Sequence, residues 1–456
     1  MENKKKTLDK KTLLQRMSAM RLIMFGYIGI ILLGALMLFL PFASKTPGCT
    51  PFTDCLFTAT SATCVTGLIR YDTFTHWTLF GQLVILFMIQ TGGIGFMTVV
   101  LMVMKATGSR IGISERTLMQ DSISAPEFGG IVKMTEFIVK GTFLIEGTGA
   151  MFLAFDYVPR YGAKGVYMAI FHSISAFCNG GFDLMGGITG ECSSMIGFET
   201  NLYVNLVLSA LIILGGLGFY VWKDLIDKEF SWRKLSLQSK LVLSVSGALV
   251  VAGTIILFIT EYAGPMYEGY SAGDKLLSCF FQSVSARTAG FNSADLSKMT
   301  ESGLMVMIVL MLIGGSSGST AGGMKTTTFW VLLASIGTTL KRRKNIEVFG
   351  RRIDEDAPRL AACIFSSYLI GIITSAVVIA SIEKLPFMTV LFETTSALAT
   401  VGITLGITGS LGMVSKLIIT FLMFCGRLGS ITALLAFSPD RTKISSSYPK
   451  ENINIG

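Results

Sequence analysis

The residues of this chain with the most distinctive chemistry are glycines, and the chemistry they permit is cation coordination by backbone carbonyls. Four times a phenylalanine is followed, after nine residues, by a glycine. The stretches are FTATSATCVTG (57–67), FHSISAFCNGG (171–181), FFQSVSARTAG (280–290) and FETTSALATVG (392–402). The glycines Gly67, Gly181, Gly290 and Gly402 stand 114, 109 and 112 residues apart, and each precedes a bulky apolar residue: Leu68, Phe182, Phe291 or Ile403. Glycine adopts backbone angles closed to other residues. An extended loop built on it can turn its carbonyl oxygens toward one axis and replace the hydration shell of a cation. The side chains before the glycines are small or medium: Val65 and Thr66, Asn179 and Gly180, Thr288 and Ala289, Thr400 and Val401. None of these loop residues is a carboxylate, so an Asp or Glu ring for a multivalent ion is disfavoured, and a large, weakly hydrated monovalent ion is favoured. Recurrence in four copies, with Ser-Ala inside every one of them, sets the pattern apart from chance in a chain with 49 glycines.

Loops of this kind need a membrane and helices to hold them. The chain of 456 residues is 51% hydrophobic and only 15% charged, with a mean hydropathy of +0.63. Apolar runs long enough to cross a bilayer fall near 22–42, 76–104, 134–157, 200–222, 240–262, 303–340, 358–382 and 411–437. Between the two spans of each pair lies a moderately apolar segment of about a dozen residues, a length suited to a re-entrant helix. Each such segment runs into a glycine loop. Non-helical backbone at membrane depth is tolerated only where it is buried or lines a water-filled path, so four copies predict a pore. A re-entrant helix also aims the negative end of its dipole at the pore centre.

The expected fold is an all-α polytopic membrane protein. Four repeats of membrane helix, pore loop and membrane helix surround one pore, with eight transmembrane and four re-entrant helices. Segment 1–21 is a cytoplasmic N-terminal stretch, the repeats occupy 22–104, 134–222, 240–340 and 358–437, and 438–456 is a cytoplasmic tail. Orientation follows from the basic residues: 27 Lys and Arg lie on the side of the termini and nine on the other. That bias places both termini in the cytoplasm and accounts for the net charge of +9 without nucleic acid. Two histidines, His76 and His172, are too few and too distant to suggest a metal site, and no nucleotide-binding loop or nucleophile elbow is present. These absences argue against an enzyme, and the short outer loops argue against a receptor. Cys49 and Cys55 both fall on the outer face, where a bridge is conceivable but disfavoured.

A second repeat marks the second span of each pair: QTGGIGF (90–96), LGGLGF (214–219), IGGSSGS (313–319) and CGRLGS (425–430). Gly93, Gly216 and Gly315 align with Arg427. A cation at membrane depth normally faces the bundle interior or water and signals function, so Arg427 is expected below the filter as an electrostatic barrier. The alternative is a structural arginine paired with a buried acid such as Glu146. In the third copy the run GGSSGSTAGGMK (314–325) is too rich in small residues to hold a rigid helix. Gly314, Gly315, Ser316, Gly318, Ser319, Thr320, Gly322, Gly323 and Lys325 are therefore read as a movable gate, in the only copy so interrupted. Arg287 is expected to point behind the third loop, pairing with Glu393 or another buried acid, and both are read as filter scaffold. Glu136 and Glu146 await partners.

The loops CVTGL (64–68), CNGGF (178–182), RTAGF (287–291) and ATVGI (399–403) resemble the filters of the Trk/Ktr/HKT potassium-transporter superfamily. The resemblance covers essentially the whole chain and is strongest toward the Ktr-type membrane subunits. It includes GGSSGSTAGGMKTTTF, the arginine of MFCGRLG and the terminus YPKENINIG. Gly180, Cys64 and Cys178 depart from residues common in relatives, which bears on fine selectivity. The resemblance implies potassium uptake, with the ion held by carbonyls just before Gly67, Gly181, Gly290 and Gly402. It also implies stimulation by sodium, a homodimer with one pore per chain, and a cytosolic KtrA-like octamer binding ATP or ADP, with no covalent cofactor. The basic loops 105–133 and 341–352 are the expected docking surfaces for that ring, or else contacts with anionic membrane lipid. A sodium-permeable member of the same superfamily is the alternative.

Overall fold

The computed structural model describes residues 19–46, 48, 50–107, 130–343 and 345–429. The described residues are mostly helical and fall into four consecutive quarters. In the first, α1 (Ala19–Phe39) is followed by α2 (Phe52–Thr63), α3 (Leu79–Ile94) and α4 (Phe96–Ala106). The second holds α5 (Ile131–Tyr161), α6 (Ala163–Phe177), α7 (Leu202–Leu217) and α8 (Phe219–Asp227). The third holds α9 (Leu237–Glu261), α10 (Ala272–Ser285), α11 (Glu301–Leu312) and α12 (Thr326–Leu340), and the fourth α13 (Ala357–Glu383), α14 (Phe387–Leu398) and α15 (Met413–Leu428). A two-stranded hairpin, β1 (Glu347–Val348) and β2 (Arg351–Arg352), joins α12 to α13.

The division of labour follows from hydropathy. The first helix of each quarter is long and apolar enough to cross a membrane. These helices expose Leu33, Leu144, Ile259 and Ile370 outward. Apolar surface on this scale marks contact with a membrane or a protein partner, and the length and hydropathy of these helices suit a membrane. The short helices α2, α6, α10 and α14 are instead buried along most of their length. Polar side chains cap the returning helices: Thr78 accepts from Gly81 N–H, Asn201 from Val204 N–H and Thr300 from Gly303 N–H.

The quarters close into a cycle. Each returning helix packs on the short helix of the next quarter: α3 on α6, α7 on α10, α11 on α14, and α15 back on α2. The expectation that only the third returning span is interrupted is corrected. The first breaks at Gly95 (φ 88°), the second at Gly218 (φ 94°) with a 90° bend, and α15 ends at Gly429 (φ 85°). All three glycines sit two residues after the aligned set Gly93, Gly216 and Arg427, and their left-handed angles are what L side chains resist. The third quarter differs in kind, because residues 313–325 form a non-helical segment between α11 and α12.

Candidate ion pathway

Each short helix ends in a left-handed cap that starts its glycine loop. Val65, Asn179, Thr288 and Thr400 have φ of 55°, 59°, 75° and 51°, and two residues later Gly67, Gly181, Gly290 and Gly402 have φ of 96°, 66°, 81° and 92°. In the first, second and fourth quarters the cap is a Schellman motif. Thr66, Gly180 and Val401 donate their N–H groups to the carbonyls of Ser61, Ser175 and Ser396, while Val65, Asn179 and Thr400 donate to Ala62, Ala176 and Ala397. The third loop, which carries Arg287, departs: Arg287 N–H donates to Val284 and Ala289 N–H to Ser285. Two serine hydroxyls hold filter glycines directly, Ser61 accepting from Gly67 N–H and Ser396 from Gly402 N–H, both at 3.1 Å.

The four loops meet at one axis. A Cβ added to Gly67 would lie 2.9 Å from the Gly180 carbonyl oxygen, and one on Gly181 would lie 3.0 Å from that of Ala289. On Gly290 it would lie 2.7 Å from the Val401 oxygen, and on Gly402 2.0 Å from that of Thr66. The carbonyl just before each glycine thus faces the glycine of the preceding quarter, and no side chain larger than hydrogen fits. Among the buried polar atoms without a hydrogen-bond partner are Thr66 Oγ1, Thr288 Oγ1, Thr400 Oγ1 and both amide atoms of Asn179. On the side of the segments that follow them, the glycines line a cavity of about 390 Å³ that Asp183, Asp295, Arg70 and Thr404 also line.

At the foot of the loops, the short helices of the first, second and fourth quarters end against a glycine of their own returning helix, whereas in the third Gly314 meets the Gly322 carbonyl. A Cβ on Gly92, Gly215 or Gly426 would lie 2.0, 1.9 or 2.0 Å from the carbonyl oxygens of Thr63, Phe177 and Leu398. The adjoining residues Gly93 and Gly216 lie beside Cys178 and Asn179 of the second loop. Arg427 takes the equivalent place in the fourth quarter and reaches across, donating to the carbonyls of Thr320, Gly92 and Gly93. No carboxylate pairs with it among the described residues. The alternative partner Glu146 instead accepts from Gln90 at 3.0 Å and from the Cys178 thiol at 3.6 Å.

The segment 313–325 lies directly under this ring. Gly314 N–H donates to Met324, Thr326 N–H to Gly315, and Ser316 N–H to Gly216. Gly318 accepts from Phe219 N–H, and Ser319 Oγ donates to the Ser316 carbonyl. A Cβ on Gly322 would lie 1.9 Å from Thr400 Oγ1, and one on Gly323 3.0 Å from the Ala399 carbonyl. Lys325 turns its ammonium back onto the Ala321 and Gly322 carbonyls at 2.8 and 3.3 Å.

The expected pairing of Arg287 with Glu393 is corrected. Arg287 points behind the third loop, but its partner is Ser246 of α9, whose carbonyl and hydroxyl accept at 3.3 and 3.2 Å. Glu393 accepts from the hydroxyls of Thr404, at 2.7 Å, and Thr408, and so braces the outer limb of its own loop. A carboxylate already holding two hydroxyls need not recruit an arginine from another quarter. Glu136 pairs with Lys105. Cys55 is buried, while Cys49, most of loop 105–133 and the tail 438–456 lie outside the described residues.

Four long apolar helices, four short helices buried among them and glycine loops that converge on one another define a multi-pass helical membrane protein. A family model described as TrkH, cation transport protein, matches residues 42–446. The chain belongs to this family, and it is a cation uptake transporter. It is 38% identical over 457 residues to the potassium/sodium uptake protein NtpJ of Enterococcus hirae, covering 99% of this chain and 100% of that protein. It is 37% identical over 446 residues to the Ktr system potassium uptake protein B of Bacillus subtilis, covering 97% of each. Its fold is similar to that of the potassium transporter TrkH from Vibrio parahaemolyticus, with a TM-score of 0.71 at 18% identity over 92% of this chain and 84% of that one. The expected superfamily and the helical polytopic architecture are both borne out.

Proposed function

We propose that the chain takes up potassium through the ring of glycine loops, with the ion held by the carbonyls that precede Gly67, Gly181, Gly290 and Gly402. The observation that carries this reading is the cyclic approach of the Thr66, Gly180, Ala289 and Val401 carbonyls to the neighbouring glycines. Buried polar atoms without protein partners are uncommon, and their concentration at Thr66, Asn179, Thr288 and Thr400 fits a path used by ions and water. Carbonyl dipoles on a flexible ring favour a large monovalent ion over a small one.

In this reading the segment 314–325 is the gate, and Arg427 holds it shut. The guanidinium is a positive charge in the path and a strap between the gate residue Thr320 and the fixed α3 carbonyls of Gly92 and Gly93. Both termini face the cytoplasm, where a second copy of the chain and a KtrA-like octamer binding ATP or ADP complete the transporter, and sodium stimulates uptake. The names of two relatives, a Ktr system protein and a potassium/sodium uptake protein, support these expectations. The exposed hairpin arginines Arg351 and Arg352 suit a docking face on the ring, or anionic lipid.

Flux of potassium and sodium into proteoliposomes, with and without the cytosolic partner, tests the reading. Potassium uptake that exceeds sodium uptake and responds to nucleotide through the partner is expected. Equal uptake of both ions would support a sodium-permeable transporter instead. Absence of uptake in either case would overturn the proposal.

A further inference from the structure

Thr320 occupies an unusual position in the gate segment. It is fully buried and its three polar groups are tied to three different elements. Its N–H donates to the Gly215 carbonyl of α7 at 3.3 Å. Its carbonyl accepts from Arg427 of α15. Its hydroxyl donates to the Phe177 carbonyl at 3.1 Å. Phe177 is the last residue of α6, immediately before the second filter loop.

The Phe177 carbonyl is chemically exposed in a way its neighbours are not. The last carbonyls of a helix lack partners within the helix. Here Cys178, Asn179 and Gly180 satisfy those of Ile174, Ala176 and Ser175, and the Phe177 oxygen lies beyond the cap. The corresponding oxygens of Thr63 and Leu398 lie against Gly92 and Gly426. In the second quarter, the oxygen that lies against Gly215 also receives the Thr320 hydroxyl, brought in by the gate segment. The negative end of the α6 dipole points at the path, so a donor at this oxygen weakens the field that a cation below the filter meets.

We propose that Thr320 couples the gate to the filter. With the segment in place its hydroxyl caps the second pore helix. Withdrawal of the segment uncaps the Phe177 carbonyl and strengthens the field at the inner end of the filter, which shifts the preference from potassium toward sodium. The ion preference is therefore set partly by the gate. Selectivity in carbonyl filters depends on the number and field strength of the coordinating dipoles, and this oxygen changes both. The inference rests on the gated-pore reading and adds to it a positioning residue for selectivity.

The test is paired potassium and sodium leak through the full-length protein in liposomes without the cytosolic partner, the condition that keeps the segment in place, for the natural chain, Thr320→Val and Thr320→Ser. Valine keeps the volume and deletes the donor. The potassium-to-sodium flux ratio of Thr320→Val should fall about threefold or more, and Thr320→Ser should return it toward the natural value. An unchanged ratio in Thr320→Val, whether or not total flux rises, overturns the coupling and leaves the gate in place, since a residue that only blocks the path alters both fluxes alike. If Thr320→Val does not purify as a folded protein, Thr320→Ala is measured against the same criterion. Absence of potassium flux through the natural chain sinks the pore reading itself, and the coupling with it.

Discussion

At the scale of single residues, the proposed filter is defined by what cannot be added to it. Gly402 combines a φ of 92° with a site where a Cβ would lie 2.0 Å from the Thr66 carbonyl oxygen. Gly95 has a similar φ of 88° but open space around it. Alanine at either position costs about 1–2 kcal/mol in left-handed strain. At Gly402 a collision with backbone that has nowhere to move is added. Gly402→Ala should reduce potassium uptake about tenfold or more while Gly95→Ala retains most of it, as measured in liposomes with matched protein.

If the cavity beside the glycine loops is the mouth of the proposed path, Asp183 gives it a dependence on acidity. Burial pushes its carboxyl up to about 7, and the nearby charge of Asp72 adds to this against the opposing Met185 N–H, which donates at 2.9 Å. A raised carboxyl is charged above that value and neutral below it. The cation-attracting charge in that cavity is therefore lost on acidification. Uptake should fall as the external solution is taken below about pH 7, and the fall should disappear in Asp183→Asn. A decline identical in both proteins would rule Asp183 out as its source.

At the scale of elements, the four returning helices show how one pattern is put to different uses. Glycine at the ends of α3 and α7 lets the backbone turn, whereas α11 dissolves into the segment under the filter. The α15 copy replaces the aligned glycine with Arg427, which bonds to two other quarters. Hydrogen bonds from a charged donor contribute about 1.5–3 kcal/mol each. Losing them would shift a closed gate toward open by about tenfold or more. Arg427→Ala should therefore raise potassium leak in the absence of the cytosolic partner, read as uptake into liposomes of purified protein. Unchanged leak would remove Arg427 from the barrier.

At the scale of the whole molecule, the first and last quarters must be held together, since no loop joins them. Asp54 of α2 and Lys416 of α15, 362 residues apart, form an ion pair of 2.5 Å with side chains 3% and 12% exposed. Tyr71 also donates to Asp54 at 3.0 Å. Removing one partner of a buried pair costs about 3–5 kcal/mol where the other charge is left uncompensated, and less here because Arg70 stands 3.9 Å from the same carboxylate. Lys416→Met should lower the midpoint of thermal unfolding in detergent. The double variant with Asp54→Asn should recover most of the loss, and equal loss in both would show that the pair does not close the ring.

The filter glycines were legible because a left-handed loop at close approach calls for that residue type. Val65, Thr288 and Thr400 were not legible as left-handed positions, since β-branched residues seldom adopt such angles; only their offset of two from each glycine marked them. Gly92, Gly215 and Gly426 sit one residue before the aligned set and were visible only as glycine pairs, or as the glycine beside Arg427. Ser61 and Ser396 were visible only as part of a Ser-Ala repeat. The charges Arg287, Glu393 and Arg427 were found, but their partners were not. A charge read from sequence invites an opposite charge, whereas these groups are satisfied by a serine, two threonines and backbone carbonyls.

By itself the sequence determined the membrane environment, the fourfold repetition and the residues that carry left-handed glycine angles, because hydropathy and conformational freedom are properties of residue type. Only the tertiary structure decided the order of quarters around the axis, the closure of α15 on α2, and the bonds that tie Thr320 to Arg427 and to the end of α6. Those contacts are made largely by backbone oxygens. Every residue has one, so no residue type announces them, and only their placement in space distinguishes one from another.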